Sequence, residues 1–247
     1  MDKNSADFRF FEELNDFLPT HKRKVRFSVS FDGSPSIKDI IESQGVPHTE
    51  IDLLLVNGQS VDFSYRLKNK DKVSVYPVFE SLDISGLKRL SEKPLREIKF
   101  ILDVHLGKLS RLLRLLGFDT TYSNDLSDSE IVAISTKESR IILTRDIGIL
   151  KRGSVTRGYW VRSTDPQCQI REIIRRFDLC GLANPFSICI VCNGKLESVS
   201  KEMIANRLQS KTLMYFDKFS QCKSCGKIYW EGSHFGKLRK FISQICH

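Results

Sequence analysis

A chain of 247 residues, 40% hydrophobic and 28% charged, can bury one large core or about two to three small ones, and its composition is that of a globular protein rather than a fibrous or low-complexity one. No apolar run approaches the ~18 residues that span a bilayer, and the polar start with Asp2, Lys3 and Asp7 is unlike a targeting segment, so no membrane role and a cytoplasmic location are expected. The net charge of +9 is uneven: residues 1–85 carry 11 Lys+Arg against 14 Asp+Glu, which leaves 28 against 16 for residues 86–247, a basic excess suited to a polyanion.

Taken in chain order, Phe8–Phe11 reads as an opening strand and Arg26–Phe31 alternates as a half-buried one. Ile37, Ile40 and Ile41 before Gly45 give a short amphipathic helix over Ser36–Gly45. Leu53–Gly58 is a buried strand running into an Asn-Gly turn, and Lys72–Pro77 alternates again after the polar turn at 68–71. This order, with Val56-Asn57-Gly58 and Asp71–Pro77, resembles the ubiquitin-like β-grasp fold, in the sulfur-carrier-like version that precedes some ribonuclease domains. Sulfur carriers end in a free Gly-Gly, whereas here the strand continues into Val78-Phe79-Glu80, so the resemblance implies an interaction or scaffolding role and a protein partner. The domain is expected over 1–82, followed by a polar linker at 83–97.

Strands and helices then alternate, which implies an α/β domain with a parallel sheet and crossover helices over 98–182. The expected elements are a strand Phe100–Val104, a helix Leu106–Leu116 stopped by Gly117, a strand Asp119–Tyr122 and a helix Asp128–Lys137. A strand Arg140–Thr144, a strand Gly158–Arg162 and a helix Gln167–Phe177 complete them.

Ligands of open parallel sheets bind beyond the carboxyl ends of the strands. Acids stand at those ends: Asp103 closes the first, Asp125 follows the second with Asp128 in the same loop, Asp146 follows the third as Thr144-Arg145-Asp146, and Asp165 follows the fourth. Carboxylates gathered in this way suit one or two Mg²⁺ or Mn²⁺ ions, which activate water in phosphodiester hydrolysis. Asp103, in an otherwise apolar strand, calls for a metal or an arginine partner because a lone buried carboxylate is costly. Asp125 and Asp128 are equally readable as turn formers, Ser127–Glu130 as a capping box, and Asp165 before Pro166 as a helix N-cap. Lys108, Arg111 and Arg114, spaced by three beside Leu109, Leu112, Leu113 and Leu116, form either a solvated face or a phosphate-binding stripe, to which Arg145 beside Asp146 adds.

Seven cysteines, an odd count with two Cys-x-x-Cys pairs, favour a reducing compartment and metal over disulfides. Cys189, Cys192, Cys222 and Cys225, each pair followed by glycine at Gly194 or Gly226, are expected to hold one structural Zn²⁺ in a zinc ribbon over 183–247. Lysines and rings around it, with His234, suit stacking on single-stranded nucleic acid or form the ribbon's own small core.

Phe100–Asp119, Arg140–Asp146 and the zinc segment through Tyr229–His234 together resemble the Mut-seven C-terminal family, a PIN-like ribonuclease domain followed by a zinc ribbon. The resemblance covers about 150 residues and extends to the preceding β-grasp domain. It implies a metal-dependent ribonuclease acting on single-stranded or structured RNA, with acidic positions at Asp103, Asp125, Asp128 and Asp146 and with Asp165 in the place of the fourth acid of PIN nucleases. The alternative is a non-catalytic RNA-binding or scaffold protein with a degenerate site.

Overall fold

The computed structural model describes residues 3–77, 98–232 and 235–245. The expected domain boundary at 82, the linker at 83–97, Val78–Glu80, His234 and Cys246 lie outside the described residues. The N-terminal segment holds β1 (Asn4–Phe10), β2 (Phe27–Phe31), α1 (Ile37–Ser43), β3 (Ile51–Val56), β4 (Gln59–Val61) and β5 (Lys72–Pro77). It is followed by β6 (Phe100–Leu102), α2 (Gly107–Leu115), β7 (Thr120–Thr121), α3 (Asp128–Glu138), β8 (Ile141–Thr144), α4 (Ile147–Leu150), β9 (Gly158–Trp160) and α5 (Pro166–Arg176). The last third contains β10 (Leu196–Val199), α6 (Lys201–Ile204), α7 (Ser210–Tyr215), β11 (Phe219–Cys222), β12 (Ile228–Trp230) and α8 (Phe235–Ile245). Two compact units result, residues 1–96 with 132–160 and residues 97–131 with 161–247.

In the first unit the strands lie in the order β2-β1-β5-β3-β4, with β1 and β5 parallel and the other neighbours antiparallel, which is the β-grasp arrangement. Phe8, Phe10, Ile37, Ile41, Leu54 and Val75 form its core. The opening strand starts at Asn4, earlier than its hydrophobicity suggests, because Asn4 and Ser5 pair with Phe31 and Ser30 of β2. Asn57 and Gly58 both take positive φ, 52° and 83°, the conformation of a tight two-residue hairpin turn, and so create β4, which has no hydrophobic signal of its own. Buried Asp71 fixes this turn by accepting from Asn57 Nδ2 at 2.9 Å, Lys68 N at 2.9 Å and the Tyr65 hydroxyl at 3.2 Å.

The same unit contains the parallel pair β8 and β9, in which Thr144 lies beside Trp160. Gly158 permits their approach to α4, since a Cβ there would sit 2.4 Å from Leu150 Cδ2. Several contacts join the β-grasp residues to this segment. Glu50 Oε1 accepts from Trp160 N at 2.6 Å, and Phe17 packs on the Trp160 ring with centroids 4.9 Å apart. His48 Nε2 lies 2.8 Å from Val155 O, and Lys151 Nζ donates to Glu42 O at 3.1 Å.

The second unit pairs β6 with β7 in parallel. The α2 helix buries Leu109 and Leu113 and ends where its leucine pattern meets glycine: Phe118 N donates to Leu113 O and Gly117 N to Arg114 O, both at 3.0 Å, with Gly117 at φ 90°. This is the glycine C-cap that a left-handed residue supplies, and no side chain fits there because a Cβ would lie 2.1 Å from Asn184 O. β10, β11 and β12 form a separate antiparallel sheet. The mixed α/β class, the β-grasp domain and the cysteine ribbon are those expected from the sequence. Among the described residues, no helix is long and apolar enough to cross a membrane.

Candidate metal centre and the strand-end acids

The two Cys-x-x-Cys segments fold as matched knuckles. Asn193 N donates to Cys189 O at 3.0 Å and Cys189 N to Gly194 O at 2.8 Å; in the second, Gly226 N donates to Cys222 O and Cys222 N to Lys227 O, both at 2.9 Å. Each turn needs a left-handed residue, supplied by Asn193 at φ 68° and Gly226 at φ 71°. The four sulfurs lie within 4.8 Å of one another, with Cys189 and Cys225 Sγ 3.7 Å apart and Cys192 and Cys222 Sγ 3.4 Å apart. A tetrahedron with ~2.3 Å metal–sulfur bonds has edges of ~3.8 Å, so the donor set and spacing fit a structural metal such as zinc with no open position. Burial opposes ionisation of Cys189, but hydrogen bonds from the Tyr229 hydroxyl at 3.0 Å and from backbone N–H groups prevail and hold that thiol down at about 6. Burial and the adjacent sulfurs push the Tyr229 hydroxyl up, so it remains a donor.

The first knuckle is fastened to the parallel strands of its unit. Asn193 Oδ1 accepts from Thr120 N in β7 at 2.8 Å, and its Nδ2 donates to Asp119 Oδ1 at 2.6 Å. Arg114, expected in the phosphate-binding stripe, is only 4% exposed. Its Nε donates to Thr120 O at 2.9 Å, and its Nη1 to Ile190 O at 3.3 Å and Val191 O at 2.9 Å, the carbonyls inside the knuckle. Arg114 therefore braces the ribbon and presents no charge to a ligand. Lys108 and Arg111 of the same helix are exposed, and Arg145 is half-buried.

The acids occupy distinct settings. β6 ends at Leu102, one residue before Asp103, because the carboxylate turns the chain by accepting from His105 N at 2.8 Å; Asp103 is 3% exposed. Asp146 is exposed and caps α4, its N–H donating to Thr144 Oγ1 at 2.8 Å while its Oδ1 accepts from Gly148 N at 2.7 Å. Asp125 is exposed in its loop, and Asp128 opens α3. The capping box is formed: Ser127 N donates to Glu130 Oε2 at 2.8 Å and Glu130 N to Ser127 Oγ at 3.4 Å. Asp165 caps α5, with Oδ1 accepting from Gln167 N and Cys168 N, both at 3.0 Å. Among the described residues, the four cysteines are the group of three or more candidate ligands gathered closely enough for one ion.

Beside the ribbon sheet lies a cleft of about 850 Å³ lined by rings and aliphatics, among them Phe186, Ile188, Trp230 and Phe235, with Asp217, Lys218, Lys227 and Glu231 also in its lining. Trp230 is 40% exposed, and Lys237, Arg239 and Lys240 of α8 are exposed nearby in sequence.

The family description "Mut7-C RNAse domain" matches residues 98–242, more than half of the chain, and "Mut7-C ubiquitin" matches residues 3–83. The chain belongs to the Mut7-C RNAse domain family. No curated protein and no solved structure matches it.

Within this Mut7-C chain, several residues that shape the site carry weak sequence signals. Asn193 follows Cys192 where the knuckle needs positive φ, a cue readable from the Cys-Asn-Gly order, but its pairing with β7 spans 73 positions and leaves no local trace. Tyr229 and Trp160 read as ordinary strand aromatics. Their polar atoms, bonded to Cys189 Sγ and Arg145 O, distinguish them only in three dimensions.

Proposed function

We propose that this member of the Mut7-C RNAse domain family is a metal-dependent ribonuclease that hydrolyses single-stranded RNA, with Asp103 and Asp146 as ligands for Mg²⁺ or Mn²⁺ and with Zn²⁺ as the structural metal of the four cysteines. The observation that carries this reading is that, inside the matched region, a carboxylate stands at or just past the carboxyl end of each of β6 and β8. Oxygen donors of this kind suit a hard divalent cation, which when bound supplies Lewis acidity and a more acidic water. Asp125, in the loop before α3, and Asp128, the first residue of α3, are assigned to supplement the site. Lys108, Arg111 and Arg145 are assigned to the phosphates. The aromatic cleft beside the ribbon is suited to stacking unpaired bases, whose flat faces pack on rings irrespective of sequence. His234, which lies outside the described residues, is assigned to RNA binding.

A second reading, RNA binding without cleavage, draws on Asp165. Its carboxylate already serves two backbone N–H groups of α5, which takes the expected fourth acid into a structural role. End-labelled single-stranded RNA incubated with the protein with and without Mn²⁺, beside Asp146→Asn, separates the two. Cleavage that needs the metal and is lost in Asp146→Asn is expected; cutting by the variant at the wild-type rate would overturn the ribonuclease assignment, and binding without cutting would favour the second reading.

A further inference from the structure

The β-grasp domain touches the segment that carries Asp146, and two of the contacts meet at one residue, Trp160. β9 pairs with β8 along one side, so the outward N–H of Trp160 needs an acceptor from elsewhere. Glu50 supplies it at 2.6 Å from a carboxylate that is 0% exposed. Burial makes the loss of a hydrogen bond at this carboxylate costly, which favours retention of the Glu50–Trp160 tie. Phe17 covers the indole ring, with an interplanar angle of 45°. Held at its backbone and at its face, Trp160 directs Nε1 to Arg145 O at 3.3 Å.

Arg145 immediately precedes Asp146, and Thr144, the ladder partner of Trp160, accepts the Asp146 N–H through Oγ1. The turn that aims the Asp146 carboxylate is thus bounded by a strand residue, Thr144, and by a carbonyl, that of Arg145, both of which meet Trp160. Farther along the same connection, His48 with its Glu42 partner at 2.6 Å meets Val155 O, and Lys151 reaches Glu42 O. These contacts tie the connection between β8 and β9 to the β-grasp residues at its far part as well.

We propose that the β-grasp domain positions the Asp146 turn through Trp160, so that Phe17 and Glu50, far from the reacting groups in sequence, set the orientation of a hydrolytic carboxylate. The inference rests on the reading of Asp146 as part of the cleavage site. Trp160 is a positioning residue: it acts on Asp146 through the Arg145 carbonyl and touches no substrate. The β-grasp domain then has an internal task in this chain, whatever partner its outer surface serves.

The test uses the full chain with three substitutions. Trp160→Phe keeps a ring against Phe17 and removes the Nε1 donor; Glu50→Ala removes the acceptor of Trp160 N; Glu50→Gln keeps an acceptor oxygen. Amide hydrogen exchange is read on the peptide covering 144–150, where the Asp146 and Gly148 N–H groups report the turn directly. In Trp160→Phe and Glu50→Ala that peptide is expected to exchange about tenfold faster, while β1, β5 and the ribbon strands exchange as in wild type and Glu50→Gln restores protection. On single-stranded RNA with Mn²⁺ the same two variants are expected to lose about tenfold in kcat with KM within about twofold, as displacement of a catalytic group rather than loss of binding produces. Unchanged exchange over 144–150 in Trp160→Phe, or an equal rise across β1 and β5, would overturn the proposal. If exchange responds as stated but Asp146→Asn cuts RNA normally, the positioning stands and the assignment of Asp146 to cleavage falls.

Discussion

Arg114 is the residue whose role changes most between chain and fold. Spaced three apart, Lys108, Arg111 and Arg114 look like one basic face, but an α-helix advances about 100° per residue, so Lys108 and Arg114 lie about 120° apart around the axis. The stripe therefore rotates into the core by its third member, where the guanidinium finds three carbonyls. Arg114→Lys cannot reproduce that fork, and charge-assisted bonds to neutral acceptors contribute roughly 1.5–3 kcal/mol each at most, so a loss of about 3 kcal/mol is expected in urea unfolding of the full chain, together with faster metal release to a chelator. Unchanged unfolding would refute the bracing role. By contrast, Asp165 and Glu130 were readable as caps because their partners lie within three residues. The Cys168 amide holds the Asp165 carboxyl below its ordinary value, and the Ser127 hydroxyl and amide do the same for Glu130. A depressed folded value means that the stabilisation is complete above the ordinary carboxylate range and is lost as pH falls through the lowered value. Helix content at α3 and α5 is therefore expected to decline on acidification in wild type, and Asp165→Asn is expected to show a shallower decline at α5.

Among elements, those with strong periodicity or a local stop were legible: α2 with its Gly117 cap, α5 with Asp165-Pro166, and the alternating strands β2 and β5. Those that escaped lack a periodic signal of their own or lie in the ribbon segment, where the cysteines dominate the reading. β4 exists because of the Asn57-Gly58 turn, α4 because Asp146 caps four residues, and β10 to β12 because two cysteine knuckles bring them side by side. The knuckles are also the elements whose stability depends on metal. Structural zinc supplies on the order of 10 kcal/mol to small domains, so chelation under mild denaturant, or Cys222→Ser, is expected to remove amide protection from the ribbon strands. Because Thr120 N donates to Asn193, protection at β7 is expected to fall with it, whereas β1 and β5 should keep theirs. Hydrogen exchange with and without chelator measures this, and a metal assay should find one zinc per chain. Loss confined to residues 189–230 would show that the knuckle does not support β7.

On the scale of the whole molecule, charge and fold divide the chain in different places. Residues 1–85 hold 11 basic against 14 acidic groups, so RNA affinity is expected to reside in the remainder and to fall with salt, with a slope of roughly −0.7 in log K against log salt for each phosphate contact. Affinity that ignores salt would count against a phosphate surface. The β-grasp sheet can close once Pro77 is available, since β5, which ends there, pairs with both β1 and β3. The Glu50 and Phe17 contacts, however, wait for Trp160. On synthesis from the N-terminus this sheet is expected to form first, leaving the Glu50 carboxylate and Phe17, which is only partly buried against the β-grasp core, as a landing site for a strand made later. The chain has two tryptophans, Trp160 and Trp230. With Trp230→Phe, the remaining indole becomes a built-in fluorescent reporter of that landing, and on refolding its emission change is expected to lag behind amide protection in β1 and β5.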